Sequence, residues 1–188
     1  MSSPITKKNI LCYSKFDFDN LMNNNNWIDN IPMNYAVISI CSPNEYYMSE
    51  HWFKKDYSNS DNVNIFNLDI DDGGPIFNDE YDKALELYLN DDIYKSNEYF
   101  SKDFNIYYLD YQQAFKLAMW IHYWIHKVDT IYIHCAAGLS RSQGVVRYIL
   151  DTYSDMFDIH INENNPCITP NMHVVRMLKR AYRNLYMN

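Results

Sequence analysis

A chain of 188 residues and 22.5 kDa falls in the usual size range of one domain, and 47% hydrophobic with 21% charged residues supplies a single core. That balance excludes a disordered or fibrous chain. A net charge of −8 and a pI near 5.1 argue against a nucleic-acid or anionic-membrane surface, which needs clustered Lys and Arg.

The first ten residues carry Lys7 and Lys8 with no apolar run behind them, so no signal peptide is expected. Cys12, Cys41, Cys135 and Cys167 form no CxxC pair and read as reduced thiols in a cytoplasmic setting. No strand or helix is assigned before Asn34, and the Asn-rich stretch Asn20 to Asn30 reads as a surface loop. Asn34 to Ile40 is a short apolar, β-branched run ended by Cys41-Ser42-Pro43, as a buried strand would be. Asn62 to Ile70 alternates and predicts a second strand, stopped by Asp71-Asp72-Gly73-Gly74-Pro75. Phe77 to Leu89 has helical spacing, and 90–108 is polar, tyrosine-rich and treated as an irregular insertion.

From Tyr111 to about Lys127, Phe115, Ala118, Met119, His122 and Ile125 share one face of a predicted amphipathic helix. His122, His126 and Lys127 interrupt its apolar run, which is too short to span a bilayer. A strand at Ile131 to Ile133 follows, then a helix from Ser140 to about Met156 with Val145, Val146, Ile149 and Leu150 inward. After a polar loop to Thr169, Pro170-Asn171 opens a last helix with Val174, Val175, Leu178 and Tyr182 inward. Strands alternating with helices predict one α/β domain over residues 1–188, with a central, mostly parallel sheet flanked by helices.

The chemistry concentrates in Ile131-Tyr-Ile-His-Cys-Ala-Ala-Gly-Leu-Ser-Arg-Ser142. A strand running into Cys135, a tight loop and a helix starting near Arg141 would turn the backbone N–H groups of Ala136 to Arg141 inward as an anion nest. The positive end of the helix dipole would add to that field. Gly138 permits the turn, and Arg141 can grip two phosphate oxygens as a planar fork. The same field favours thiolate at Cys135, because comparable settings lower a cysteine pKa to roughly 3.5–7.5. Ser142 can hydrogen-bond the sulfur as nucleophile and later as leaving group. His, Cys, Gly, Arg and Ser at these five positions have a chance expectation of about 1 in 100,000, so a core thiol beside an ordinary surface arginine is a poor account of them.

His134-Cys135-Ala136-Ala137-Gly138-Leu139-Ser140-Arg141-Ser142 resembles the HCxxGxxRS phosphate-binding loop of cysteine-dependent protein tyrosine phosphatases, in their compact dual-specificity-like branch. Residues 37–40, 68–72 and 170–174 are similar to segments of small bacterial and phage phosphatase-like proteins. The resemblance implies attack by Cys135 on phosphorus and a cysteinyl-phosphate that water hydrolyses. Residues 134 and 136–141 would hold the phosphate. It also implies an Asp acid on the loop after the second strand, with Asp72 the first choice, Asp71 the second and Asp69 the third.

His134 is expected to orient the loop or tune the thiolate, or else to be a strand-end histidine satisfied by backbone. Cys41 is a candidate disulfide partner for Cys135 under oxidation. His122 and His126 have metal-pair spacing without a marked third ligand, so no metal and no cofactor are expected. Asn171 reads as a cap residue with a loop-positioning alternative. No variable position of the loop is basic, which disfavours phosphoinositides and RNA ends. The expected partner is therefore a phosphorylated protein, phosphotyrosine first, or a small phosphomonoester, with no nucleic acid or membrane. The alternatives are a catalytically silent phosphate-binding or interaction module, or a phosphatase acting on a non-protein substrate.

Overall fold

The computed structural model describes residues 6–27, 31–43, 64–72, 108–163, 165 and 167–186. Their elements run β1 (Lys7–Ser14), α1 (Lys15–Asn24), β2 (Tyr35–Cys41), β3 (Ile65–Asp69), α2 (Tyr111–Ile125), β4 (Thr130–Cys135), α3 (Arg141–Tyr153), β5 (Asp158–Ile161) and α4 (Met172–Tyr186). The five strands form one sheet in the order β3-β2-β4-β1-β5, and every neighbouring pair is parallel. The fold is α/β, with helices on both faces.

Strand order explains which face each helix covers. From β1 the chain steps over β4 to β2 through α1, and from β3 it returns to β4 through α2, then over β1 to β5 through α3. Opposite directions of travel at constant right-handedness require opposite faces. Accordingly Phe18 and Met22 of α1 pack with Val37, Ile65 and Tyr132 on one side. Residues of α2, α3 and α4 bury Ile38, Ile40, Ile131 and Ile133 on the other. Ser42, Asp72 and Cys135 lie at or just past the C-terminal ends of β2, β3 and β4, where open parallel sheets place their ligands.

Local chemistry starts the helices. Asp110 and Gln113 form a reciprocal capping box on α2, with Gln113 N donating to Asp110 Oδ1 at 2.8 Å and Asp110 N donating to Gln113 Oε1 at 3.1 Å. Ser14 Oγ caps α1 by accepting from Asp17 N at 3.0 Å.

Three elements lie where the sequence predicted none. β1 and the start of α1 occupy part of the unassigned N-terminus, α1 runs on to Asn24 through the first residues of the stretch expected as a surface loop from Asn20, and β5 sits within the expected polar loop. β1 escaped because one of its inward positions is Lys8, a buried cation whose Nζ donates to Val128 O at 2.6 Å. The buried face of α2 is also rotated from the expected one: Ala114, Leu117, Ala118, Ile121, Trp124 and Ile125 are inside, and Met119 is 49% exposed. That helix is apolar on several sides, so spacing alone left its orientation ambiguous. The helix expected at 77–89, Gly73, Gly74 and residues 90–107 of the insertion lie outside the described residues.

The start of α4 carries a pH-sensitive contact. His173 is 1% exposed and its Nε2 lies 2.9 Å from Leu109 O. Burial, the largest cause, lowers its pKa from 6.5 to about 4. The unfolded chain therefore takes up this proton below 6.5 while the folded one resists until about 4, so stability is lost as pH falls through that window. At about 1.4 kcal/mol per pKa unit the loss approaches roughly 3 kcal/mol. His173→Gln is expected to flatten the difference between urea midpoints measured at pH 7 and pH 4. An unchanged difference would remove His173 as its source.

Candidate active site

β4 ends at Cys135 and α3 begins at Arg141, so residues 136–140 must reverse the chain within one turn. Gly138 makes this possible at φ +71°, and a Cβ there would lie 2.7 Å from Ser14 N and from Tyr13 C. Both neighbours are backbone of β1 and cannot swing aside. Gly138→Ala is expected to cost about 1–2 kcal/mol for the left-handed backbone alone, with the clash in addition. Denaturant titration checks this, and a loss under 0.5 kcal/mol (roughly the scale of a neutral surface change) would contradict the geometry.

The carbonyls of this loop are held by the surrounding scaffold. Ala136 O accepts from Lys15 N at 3.0 Å, and Ser140 O accepts from Gly144 N at 2.8 Å and Asn171 N at 3.1 Å. Gly138 O accepts from Asn165 Nδ2 at 2.9 Å and Gln143 Nε2 at 3.3 Å, and Leu139 O accepts from Thr169 Oγ1 at 2.8 Å. In a trans peptide the N–H points opposite to the C=O. Four carbonyls turned toward the scaffold therefore turn the N–H groups of Ala137, Leu139, Ser140 and Arg141 to the other side. α3 starts there without a side-chain cap, since Ser140 makes no cap hydrogen bond. The arrangement is a cradle of donors with a helix dipole behind it, suited to an anion.

The side chains follow the strand alternation. Cys135, 2% exposed, faces the same side of the sheet as Ile133, and its Sγ lies 3.1 Å from Ser142 Oγ. Arg141 is 2% exposed and donates from Nη1 to Ser42 Oγ at 2.6 Å and to Ile70 O at 2.8 Å. These contacts tie the guanidinium to the ends of β2 and β3. Asp72 meets the loop directly: Ser140 Oγ donates to its Oδ1 at 2.6 Å and Asn171 Nδ2 at 3.3 Å. Asn171 also caps α4, accepting from Val174 N at 3.2 Å through Oδ1, so one amide performs both expected roles. It can reach the loop because α3 has Gly144, where a Cβ would stand 2.9 Å from Asn171 O and from Val174 Cβ.

Other expectations change. His134 is fully buried, but its ring stacks on Phe18 of α1 at 4.4 Å, on the sheet face opposite the Cys135 thiol. It fixes the strand end from behind, and its ring does not share the thiol's side. Cys41 falls in the alternation with Val37, also on the α1 side, whereas Cys135 faces away. A Cys41–Cys135 bridge is ruled out by that alternation, and all four cysteines are free. Asp71 is half-buried next to Asp72, and exposed Asp69 lies two residues before Asp71, at the end of β3. The His122 and His126 rings sit 4.8 Å apart, with His126 Nδ1 2.7 Å from His122 O. Among the described residues no three His, Cys, Asp or Glu side chains gather as a metal-holding group.

Ser42, Gln143, Asn165 and Thr169 hold the loop and were not anticipated. Their signal was weak: a strand-end hydroxyl before Pro43, and polar residues scattered through a polar loop. Beside the cradle a cavity of about 510 Å³ is walled by Ala137, Leu139, Ser14, Asp17, Asn162 and Asn165, among others. Cys135 is not part of that wall, so the cavity flanks the cradle. No helix among the described residues is long and apolar enough to cross a membrane. Searches of family models, curated proteins and solved structures found no match to this chain.

Proposed function

We propose that the chain hydrolyses phosphomonoesters through a cysteinyl-phosphate, with phosphotyrosyl or dual-specificity protein substrates as the leading class. The observation that carries this reading is the cradle itself. Four loop carbonyls beside a buried cysteine are pinned to the scaffold, which turns the N–H groups of Ala137, Leu139, Ser140 and Arg141 to the other side of the loop at a helix start. Phosphate is the tetrahedral anion that such a nest suits.

In the first step the Cys135 thiolate attacks phosphorus and the bond from phosphorus to the substrate oxygen breaks. Asp72 supplies the proton that the departing oxygen needs. In the second step water attacks the phosphocysteine and Asp72 takes a proton from it. The sulfur then leaves as thiolate, stabilised by Ser142. Arg141, steadied through Nη1, would meet two phosphate oxygens with the edge formed by Nε and Nη2.

Purified protein is expected to turn over p-nitrophenyl phosphate and phosphotyrosyl peptides, and orthovanadate, a trigonal-bipyramidal mimic, is expected to inhibit competitively. No release of phosphate above the buffer rate from aryl, phosphotyrosyl or phosphoseryl substrates would overturn the reading.

A further inference from the structure

β1 carries a second thiol to the back of the loop. In its register with β4, Cys12 stands opposite Ile133 and two positions before the Ser14–Cys135 pair. It therefore shares the sheet face of Ile10, Ile133 and Cys135. The amide of Asn162 holds it there, donating to Cys12 O at 2.7 Å and accepting from Cys12 N at 3.1 Å. Cys12 Sγ lies 3.4 Å from Gly138 O and 3.1 Å from Ser142 Oγ.

Proton counting orders these contacts. A thiol has one proton to donate. Gly138 O already accepts from Asn165 Nδ2 and Gln143 Nε2, which occupies both of its lone pairs. The Cys12 proton is then directed to Ser142 Oγ. Ser142 also has one proton, and with Cys12 donating on one side it points that proton at Cys135 Sγ, 3.1 Å away on the other. Were Ser142 to donate to Cys12 instead, a thiolate at Cys135 would lose this donor. Burial, opposed only in part by the Ser142 hydrogen bond, pushes the Cys12 thiol up to about 12, so it stays protonated across neutral pH.

We infer that Cys12 is a positioning residue: its thiol donates to Ser142 Oγ and thereby aims the Ser142 hydroxyl at the Cys135 sulfur. The inference rests on the reading of Cys135 as the nucleophile. It assigns Cys12 no contact with substrate. A donor aimed at the sulfur favours thiolate before attack and again when the phosphocysteine is hydrolysed. Losing one well-placed hydrogen bond is worth roughly a 3- to 10-fold change.

The test is the pH profile of Cys135 alkylation by iodoacetamide, read on the Cys135 peptide by mass spectrometry. It compares wild type, Cys12→Ala, Cys12→Ser, Ser142→Ala and the Cys12→Ala/Ser142→Ala double variant. In Cys12→Ala the alkylation midpoint is expected to rise, slowing the reaction roughly 3- to 10-fold on the acid side. Cys12→Ser keeps a donor and is expected to restore most of that rate, and it also serves if the alanine variant folds poorly. In the Ser142→Ala background, Cys12→Ala is expected to change nothing further, because Cys12 acts only through Ser142. An unmoved midpoint in Cys12→Ala, or an equal shift in the Ser142→Ala background, overturns the inference. Alkylation requires no turnover, so a wild type that fails to hydrolyse phosphate esters sinks the proposed function while leaving this result readable.

Discussion

Cys135→Ser is expected to lower kcat on p-nitrophenyl phosphate by about 10,000-fold or more, since it removes the proposed nucleophile, on which both proposed steps depend. The argument comes from what the substitution leaves in place. Oxygen is smaller than sulfur and accepts the same Ser142 contact, and the loop carbonyls stay pinned by Lys15, Asn165, Thr169 and Asn171. At neutral pH a serine hydroxyl lacks the anionic form of a thiolate. The proposal assigns phosphate affinity to the backbone donors and Arg141, so binding should persist. Calorimetry with a phosphotyrosyl peptide is expected to give a Kd within about threefold of a vanadate-free wild-type competition value, well under the tenfold that each 1.4 kcal/mol represents. Equal turnover by the two proteins would mean that Cys135 is not the nucleophile. Loss of binding together with turnover would mean that the thiol was holding the cradle.

The legibility of this molecule from sequence was uneven, for physical reasons. The segment from Ile131 to Ser142 was readable because local geometry dictates it: a strand, a left-handed glycine and a helix start are all short-range features. The identity of the second thiol near Cys135 was not readable. Cys41 lies on a strand buried on both faces, where the period of two gives no direction, and the strand of Cys12 sets Ile10 and Leu11 on successive faces beside two lysines. Only the sheet reveals that Cys41 sits with Val37 on the α1 side while Cys12 sits with Ile10 on the other. β5 was hidden similarly. Its Asp158-Ile-His-Ile161 alternates, but over only four half-exposed residues at a sheet edge, too little signal to separate from a loop. For the proposed acid, counting along the second strand put Asp72 ahead of Asp71 and Asp69. What the sequence could not show is that Asp72 meets Ser140 and Asn171, the latter 99 residues along the chain.

That choice yields the second large effect. Asp72→Asn is expected to slow hydrolysis of phenyl phosphate, whose leaving group needs a proton, by roughly 100- to 10,000-fold. The same substitution should cost far less on an aryl ester whose phenolate departs readily unprotonated. Asparagine is nearly isosteric and keeps an acceptor oxygen for Ser140 Oγ and Asn171 Nδ2, the two donors that reach Asp72 Oδ1. The loop therefore keeps its shape and only the dissociable proton is lost. A merely structural aspartate predicts a different pattern, in which both esters slow equally because the cradle itself is disturbed. Asp71→Asn is the matched control: it carries the same charge change one residue away. If Asp71→Asn produces the leaving-group dependence and Asp72→Asn does not, the roles are reversed and the loop bonds of Asp72 belong to positioning. If neither slows phenyl phosphate more than about tenfold, below the range of a placed acid, then no aspartate after β3 protonates the leaving oxygen. That proton must then come from a group outside residues 71–72.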